Sequence, residues 1–135
     1  MYTRYQQILA PDLFLGAFIP SISEKQGRRL IAYIFATLSR IPRYTQASLT
    51  AHVPDATTIC IHTLCVDNEF RGVSVGLNLV LKFIELCRKR GKYERIVFMA
   101  KKNLVPMYER MGFGMIGKAN VVFGKDEWFE MCMSF

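Results

Sequence analysis

Apolar and polar positions divide this chain of 135 residues into short segments of two different periods. The most informative stretch runs from Ile59 to Arg90. Ile59, Ile61, Leu64 and Val66 form a run of branched residues broken only by His62 and Thr63, which predicts a mostly buried central strand over 59–66. From Gly76 to Arg90 the period changes. Leu77, Val80, Leu81, Ile84 and Cys87 recur at spacings of three and four, with Lys82, Glu85, Arg88 and Lys89 on the other side. Gly91 stands where a helix C-terminus wants it, so a helix is predicted over 76–90. Between the two lies a turn, Asp67 to Val75, with Arg71-Gly72-Val73-Ser74-Val75-Gly76 leading into the helix. A small-residue turn feeding a helix leaves several backbone N–H groups unpaired and aimed at one point. With the positive end of the helix dipole they make an anion site suited to a pyrophosphate.

The flanking pattern completes one mixed α/β domain over residues 1–135, without repeats or linkers. Residues 1–10 read as the last turns of a helix closed by Pro11. Leu13–Ile19 and Arg29–Leu38 read as an antiparallel hairpin across the polar loop Pro20–Arg28. Ser39–Thr57 is polar, with a turn of helix expected at Thr45–Thr50. Arg95–Ala100 is apolar and is placed as the parallel partner of strand 59–66, because a helical crossover joins them. Asn103–Met111 reads as a short helix ended by Gly112. Gly114–Phe123 and Trp128–Phe135 read as a closing hairpin around Gly124-Lys125-Asp126-Glu127.

Charge changes this picture more than length does. The formal net charge is +7, so an anionic partner is expected. Nucleic acid, a membrane surface or a phosphorylated cofactor would each answer to it. Lys82, Arg88, Lys89, Arg90, Lys92, Arg95, Lys101 and Lys102 crowd together and face only Glu85 and Glu94. Such a run is ordinarily a solvated face, but it follows directly on the anion-binding turn, which favours a phosphorylated cofactor. Cys60, Cys65, Cys87 and Cys132 are scattered without CxxC spacing, so neither a zinc site nor a disulfide framework is indicated. No apolar segment reaches spanning length and the N-terminus lacks a signal-peptide core, so a reduced, cytoplasmic setting is expected.

Three segments resemble the GNAT superfamily of acyl-CoA N-acyltransferases, and within it the arylalkylamine (serotonin) group. They are Ile61-His62-Thr63-Leu64-Cys65-Val66 with Phe70-Arg71, then Leu104-Val105-Pro106-Met107-Tyr108-Glu109-Arg110-Met111-Gly112-Phe113, then Val121 to Met131. Weaker similarity extends back through Ser48-Leu49-Thr50, Arg29-Leu30-Ile31-Ala32 and Pro11-Asp12-Leu13. The resemblance implies a mixed central sheet with helices on both faces, with the first strand and helix of the fold missing here. Those elements floor the amine pocket in the family. It also implies acetyl transfer from acetyl-CoA to a primary amine such as serotonin or tryptamine, by direct attack in a ternary complex and without a metal. Polyamines and proteins are the alternative acceptors, and a strongly basic chain should not attract polycations.

By the same resemblance His62 is the general base and Tyr108 the general acid that protonates the departing thiolate. An imidazole titrating near neutrality suits the first task. Arg71, Gly72, Val73, Ser74, Val75, Gly76 and Leu77 would hold the pyrophosphate. Leu64, Cys65 and Val66 would offer backbone groups to the acetyl and pantetheine portions on a strand that splays from its neighbour. Asn103 would lie near the pantetheine arm. Cys60, Met99 and Trp128 would line the amine side.

Two positions depart from the family pattern. Ser74 stands where the turn's first glycine belongs, and serine enters a positive-φ conformation only at a cost. Cofactor binding weaker than the family's is therefore expected. Cys60 stands where the arylalkylamine group often has a second histidine. These departures keep open a CoA-binding module without catalysis, and the basic cluster keeps open a binder of nucleic acid or another anionic surface. A monomer or weak homodimer is expected, pairing through the exposed edge of the Leu13–Ile19 strand.

Overall fold

The computed structural model describes residues 13–23, 27–72, 74–119 and 124–135. The helix end expected over 1–10, the closure at Pro11, Val73, and residues 120–123 of the last hairpin lie outside the described residues.

Among the described residues six strands form one sheet: β1 (Phe14–Pro20), β2 (Arg28–Ser39), β3 (Thr58–Val66), β4 (Arg95–Lys101), β5 (Gly114–Lys118) and β6 (Trp128–Ser134). Their order across the sheet is β1-β2-β3-β4-β6-β5. Only β3 and β4 run parallel. The crossover between them is the helix α1 (Val75–Arg90), and a short helix α2 (Val105–Arg110) leads from β4 toward β5. The expected turn of helix is the 3-10 segment Gln46–Leu49, whose N-cap Thr45 accepts a hydrogen bond from Ser48 N–H.

The helix face differs from the one read off the sequence. α1 buries Leu79, Val80, Phe83, Ile84 and Cys87, while Leu81 is exposed. Two apolar stripes overlap along this helix, and the one containing Phe83 faces the sheet. Phe35, Ile34, Ile59 and Ile96 of three neighbouring strands are fully buried in the same core.

β3 pairs with β4 at only three positions, Thr58↔Arg95, Ile59↔Ile96 and Cys60↔Val97. Above Cys60 the two strands part. The register of β2 against β3 shifts at the same height: Ala36 pairs with Ile61 and Phe35 with Thr63, leaving His62 as the extra residue of a β-bulge. A bulge increases local twist and re-aims side chains. It turns the upper half of β3 away from β4, which stays paired to β6 along its whole length. The site therefore lies in a V-shaped opening between two half-sheets, β1-β2-β3 and β4-β6-β5.

Candidate active site

A cavity of about 70 Å³ fills the base of this opening. His62 and Leu64 of β3, Phe98 and Met99 of β4, Val80 of α1 and Tyr108 of α2 are among its walls. A second, larger cavity of about 570 Å³ lies over the turn between β3 and α1. Leu64 belongs to both, so the two spaces share a wall.

The larger cavity collects Leu64, Cys65, Val66, Arg71, Gly72, Ser74, Val75, Gly76 and Leu77, all singled out from the sequence. Its remaining lining, Phe70, Leu104 and Met107, lies in the segments that carry the family resemblance but was assigned no role from the sequence. The turn is held from below. Arg29 Nη2 donates to Asp67 Oδ2 at 2.7 Å and Nη1 to Glu69 Oε2 at 3.3 Å, while Asp67 N–H donates to the Ile31 carbonyl at 2.8 Å. The Glu69 backbone N–H and then the Arg29 guanidinium keep the Asp67 carboxyl below its ordinary range. Arg71 Nε folds back onto the Val66 carbonyl at 3.3 Å.

Ser74 is the N-cap of α1 and sits at φ 64°, the one non-glycine residue with positive φ among those described. The turn thus keeps the backbone that glycine would adopt there, at a cost of roughly 1–2 kcal/mol for a residue with a Cβ. Its hydroxyl makes no capping bond. The first N–H groups of α1 have no partner within the helix.

His62 is fixed at both ring nitrogens. Nε2 lies 2.7 Å from Thr37 Oγ1, and Nδ1 lies 3.1 Å from the Tyr44 hydroxyl. The Thr37 hydroxyl donates its single proton to the Ser48 carbonyl at 2.6 Å. Its oxygen must therefore accept from His62, which places the imidazole proton on Nε2 and leaves the lone pair on Nδ1. Burial pushes the imidazole pKa down from 6.5 to about 4, opposed only in part by a hydrogen bond to the Ser48 backbone. This corrects the expectation of titration near neutrality: at pH 7 the ring is neutral and a weak base.

Tyr108 is buried, with its ring edge-to-face on Phe98 at 4.7 Å and on Phe113 at 6.1 Å. Its hydroxyl makes no hydrogen bond to any described residue, and burial raises its pKa, so the phenol keeps its proton. Among the predicted amine-side residues, Met99 lines the small cavity. Cys60 does not. It is fully buried beside Thr37, and burial pushes its thiol up to about 11, so it offers neither a contact surface nor a thiolate. Trp128 stands at the start of β6, paired with Lys101 and stacked under its ammonium at 5.7 Å, away from both cavities. Asn103 lines a separate depression with Lys101, Lys102 and Lys125.

The basic cluster is also placed differently from the sequence reading. Arg88, Lys89 and Arg90 occupy the last turn of α1, roughly 20 Å along the axis from its N-terminus. There they complement the C-terminal end of the helix dipole, and none of these three lines the larger cavity. Lys82 and Lys89 both pair with Glu85, and Arg95 with Glu94. Among the described residues no three His, Cys, Asp or Glu side chains gather as metal ligands, and no helix is long and apolar enough to cross a membrane.

The network behind His62 is the part that sequence reasoning missed. Arg43 Nε and Nη2 each donate to the Glu130 carboxylate at 2.8 Å, and the Tyr44 backbone N–H donates to it at 3.0 Å. The Glu130 side chain is only 7% exposed, so the carboxylate depends on this fork. Glu130 pairs across the ladder with Met99, which ties the Tyr44 loop to the wall of the small cavity.

Comparison with known proteins places this geometry. Residues 46–135 match the model of the acetyltransferase (GNAT) domain. Serotonin N-acetyltransferase of Mesocricetus auratus is 34% identical over 128 residues, covering 95% of this chain and 58% of the relative. The Homo sapiens enzyme of the same name is 29% identical over the same shares. The chain thus spans somewhat over half the length of these curated relatives. Glucosamine 6-phosphate N-acetyltransferase of Trypanosoma brucei brucei is 30% identical over 79 residues, covering 58% of this chain and 48% of that protein. A chain in the crystal structure of the NatC complex bound to Gag peptide and CoA superposes with a TM-score of 0.72 at 17% identity, over 98% of this chain and 77% of that one. The splayed parallel pair, the turn at the head of α1 and the sequence match together say that this chain belongs to the GNAT acetyltransferase family.

Proposed function

We propose that this chain is an acetyl-CoA-dependent N-acetyltransferase acting on a primary amine of the arylalkylamine class, as a single catalytic domain. The observation that carries this is the convergence of His62 and Tyr108 on one small cavity that shares Leu64 with the anion-binding turn. The names of the relatives support an arylalkylamine such as serotonin or tryptamine. The net charge of +7 disfavours a polycationic polyamine.

The larger cavity fits the CoA end of the donor. Unspent N–H groups at Val75, Gly76 and Leu77 and the uncommitted Ser74 hydroxyl would take the diphosphate. Gly72 at φ 83° and Arg71 complete the bend. The edge of β3 from His62 to Val66, unpaired on its β4 side, would take amide groups of the pantetheine arm. Bound acetyl-CoA supplies an acyl group already activated as a thioester.

The chain's own residues then do three things. The walls hold the amine and exclude water, which replaces an encounter in solution by a fixed approach. His62 accepts the proton that leaves the amine. Tyr108, held as a phenol by burial, gives its proton to the departing sulfur. No covalent enzyme intermediate is required, and Cys60 is not placed to form one.

Isothermal titration with acetyl-CoA, followed by turnover assays with tryptamine, serotonin and spermidine, tests this reading. Binding of acetyl-CoA with turnover of the aromatic amines above that of spermidine is expected. Absence of acetyl-CoA binding would remove the reading altogether. Binding without acetylation of any amine would reduce the chain to a CoA-binding module.

A further inference from the structure

Both ring nitrogens of His62 are already engaged by protein groups. Nε2–H is committed to Thr37 Oγ1, whose own proton goes to the Ser48 carbonyl. The one lone pair able to take a proton is on Nδ1, and the Tyr44 O–H points at it from 3.1 Å. A base whose only free lone pair is capped by a phenol cannot take a proton directly from a substrate.

We propose that Tyr44 is a catalytic residue, and that the amine's proton reaches His62 Nδ1 through its phenolic oxygen. This rests on the acetyltransferase reading above. In the step, an N–H bond of the substrate ammonium breaks and an Oη–H bond forms on Tyr44. The original Oη–H bond breaks and an Nδ1–H bond forms on His62. Tyr44 ends as a neutral phenol, the amine nitrogen regains its lone pair, and the imidazolium carries the charge until it returns the proton to water. No electrons leave the system. Moving the two protons together avoids a free phenolate on Tyr44.

The fold holds Tyr44 for this work. Its backbone N–H is tied to Glu130, the same carboxylate is forked by Arg43, and Glu130 sits opposite Met99 of the small cavity. The Tyr44 ring is tilted 60° to the imidazole at 5.6 Å between centroids, so the two rings meet through their polar atoms and not by stacking.

Tyr44→Phe tests the relay. With a slow amine substrate, chosen so that chemistry limits turnover, kcat is expected to fall by about 10- to 100-fold with the KM for acetyl-CoA unchanged. The rate in mixtures of H2O and D2O should bow for the unaltered chain, with two protons in flight, and become linear in the variant. A variant with the unaltered rate, or the same curve in both proteins, would overturn the relay while leaving the acetyltransferase reading intact. An unaltered chain that acetylates no amine would end that reading and the relay together. A readout independent of turnover comes from 15N NMR of the two histidines, assigned with His62→Gln. His62 should show a protonated Nε2 and a hydrogen-bonded Nδ1, whose resonance moves downfield in Tyr44→Phe. An Nδ1 resonance unmoved by the substitution would count against the proposal.

Discussion

The turn at the head of α1 and the rim around His62 lie at opposite ends of the same strand segment, and they are built on different principles. The turn is a backbone device. The groups it presents are N–H groups of consecutive residues, and its side chains serve mainly to permit or brace a conformation: Gly72 and Ser74 at positive φ, Arg29 bracing Asp67. The rim is a side-chain device, assembled from Thr37, Tyr44, Ser48, His62 and Glu130, which the chain brings together from four separate segments. Substitutions should therefore separate cleanly. Those in the turn should change affinity for the CoA moiety, and those at the rim should change kcat.

The sharpest test of that separation is Tyr108→Phe. The hydroxyl has no partner among the described residues, so its removal leaves none of their groups unsatisfied. Stability should hold or rise slightly, while kcat falls by about 100- to 1,000-fold with acetyl-CoA binding unchanged. Calorimetric binding beside single-turnover rates reads both. A loss of affinity equal to the loss of rate would erase the distinction between the two regions.

The His62 rim should also impose a pH dependence on stability at higher pH than the Asp67 carboxyl of the turn, whose lowered pKa acts only in the acid range. The folded-state pKa of about 4 lies below the ordinary 6.5, so between those values the unfolded chain binds the proton and the folded one does not. Stability from this group is then complete above about pH 6.5 and is lost as pH falls toward 4, with a ceiling of about 3 kcal/mol. His52, whose Nδ1 accepts from Leu38 N–H at 3.0 Å and whose pKa is also lowered by burial, acts in the same direction. Urea titrations from pH 7 to 4 should show a steep slope for the unaltered chain and a shallower one for His62→Gln. Equal slopes would mean that the imidazole charges without resistance.

Those two regions differ equally in how far they can be read from sequence. The strand-turn-helix was legible because the hydrophobic period changes from strand-like to helical within a few residues and Gly72, Ser74 and Gly76 mark the bend. Nine residues singled out in this stretch line one cavity, with Leu64, Cys65 and Val66 among them picked through the family resemblance. The rim was legible only at His62, and there through the family resemblance. Arg43 and Glu130 are 87 positions apart, and no local pattern announces that they pair. The bulge at His62 is likewise a property of the register with β2, set by side chains on another strand. The position of Arg88, Lys89 and Arg90 relative to the turn was misjudged for a geometric reason. Residues adjacent in sequence to a helix are separated from its start by the length of that helix, here 16 residues.

A milder perturbation is Thr37→Val, which keeps the shape of a half of the rim and removes the oxygen that accepts from Nε2. The imidazole N–H and the Ser48 carbonyl would each lose that partner, at about 1–2 kcal/mol of stability by chemical denaturation. With Nε2–H no longer committed, the other tautomer becomes accessible, and kcat should fall by about 10-fold. Retention of full activity would mean that Thr37 does not set the tautomer.

The smallest effect belongs to the turn, where two substitutions at one position separate stability from affinity. Ser74→Gly removes the Cβ from a residue at φ 64° and relieves roughly 1 kcal/mol of strain, offset in part by the greater freedom of glycine in the unfolded chain. A rise in Tm of a few degrees is expected. Ser74→Ala keeps the strain and deletes only the hydroxyl, which α1 does not use as a cap. Its stability should match that of the unaltered chain, and its acetyl-CoA affinity should drop by about 3- to 10-fold if the hydroxyl donates to a phosphate oxygen, a bond worth about 1 kcal/mol. If alanine instead binds acetyl-CoA as well as serine does, the turn works through its backbone alone, and the contrast with the side-chain-built rim becomes complete.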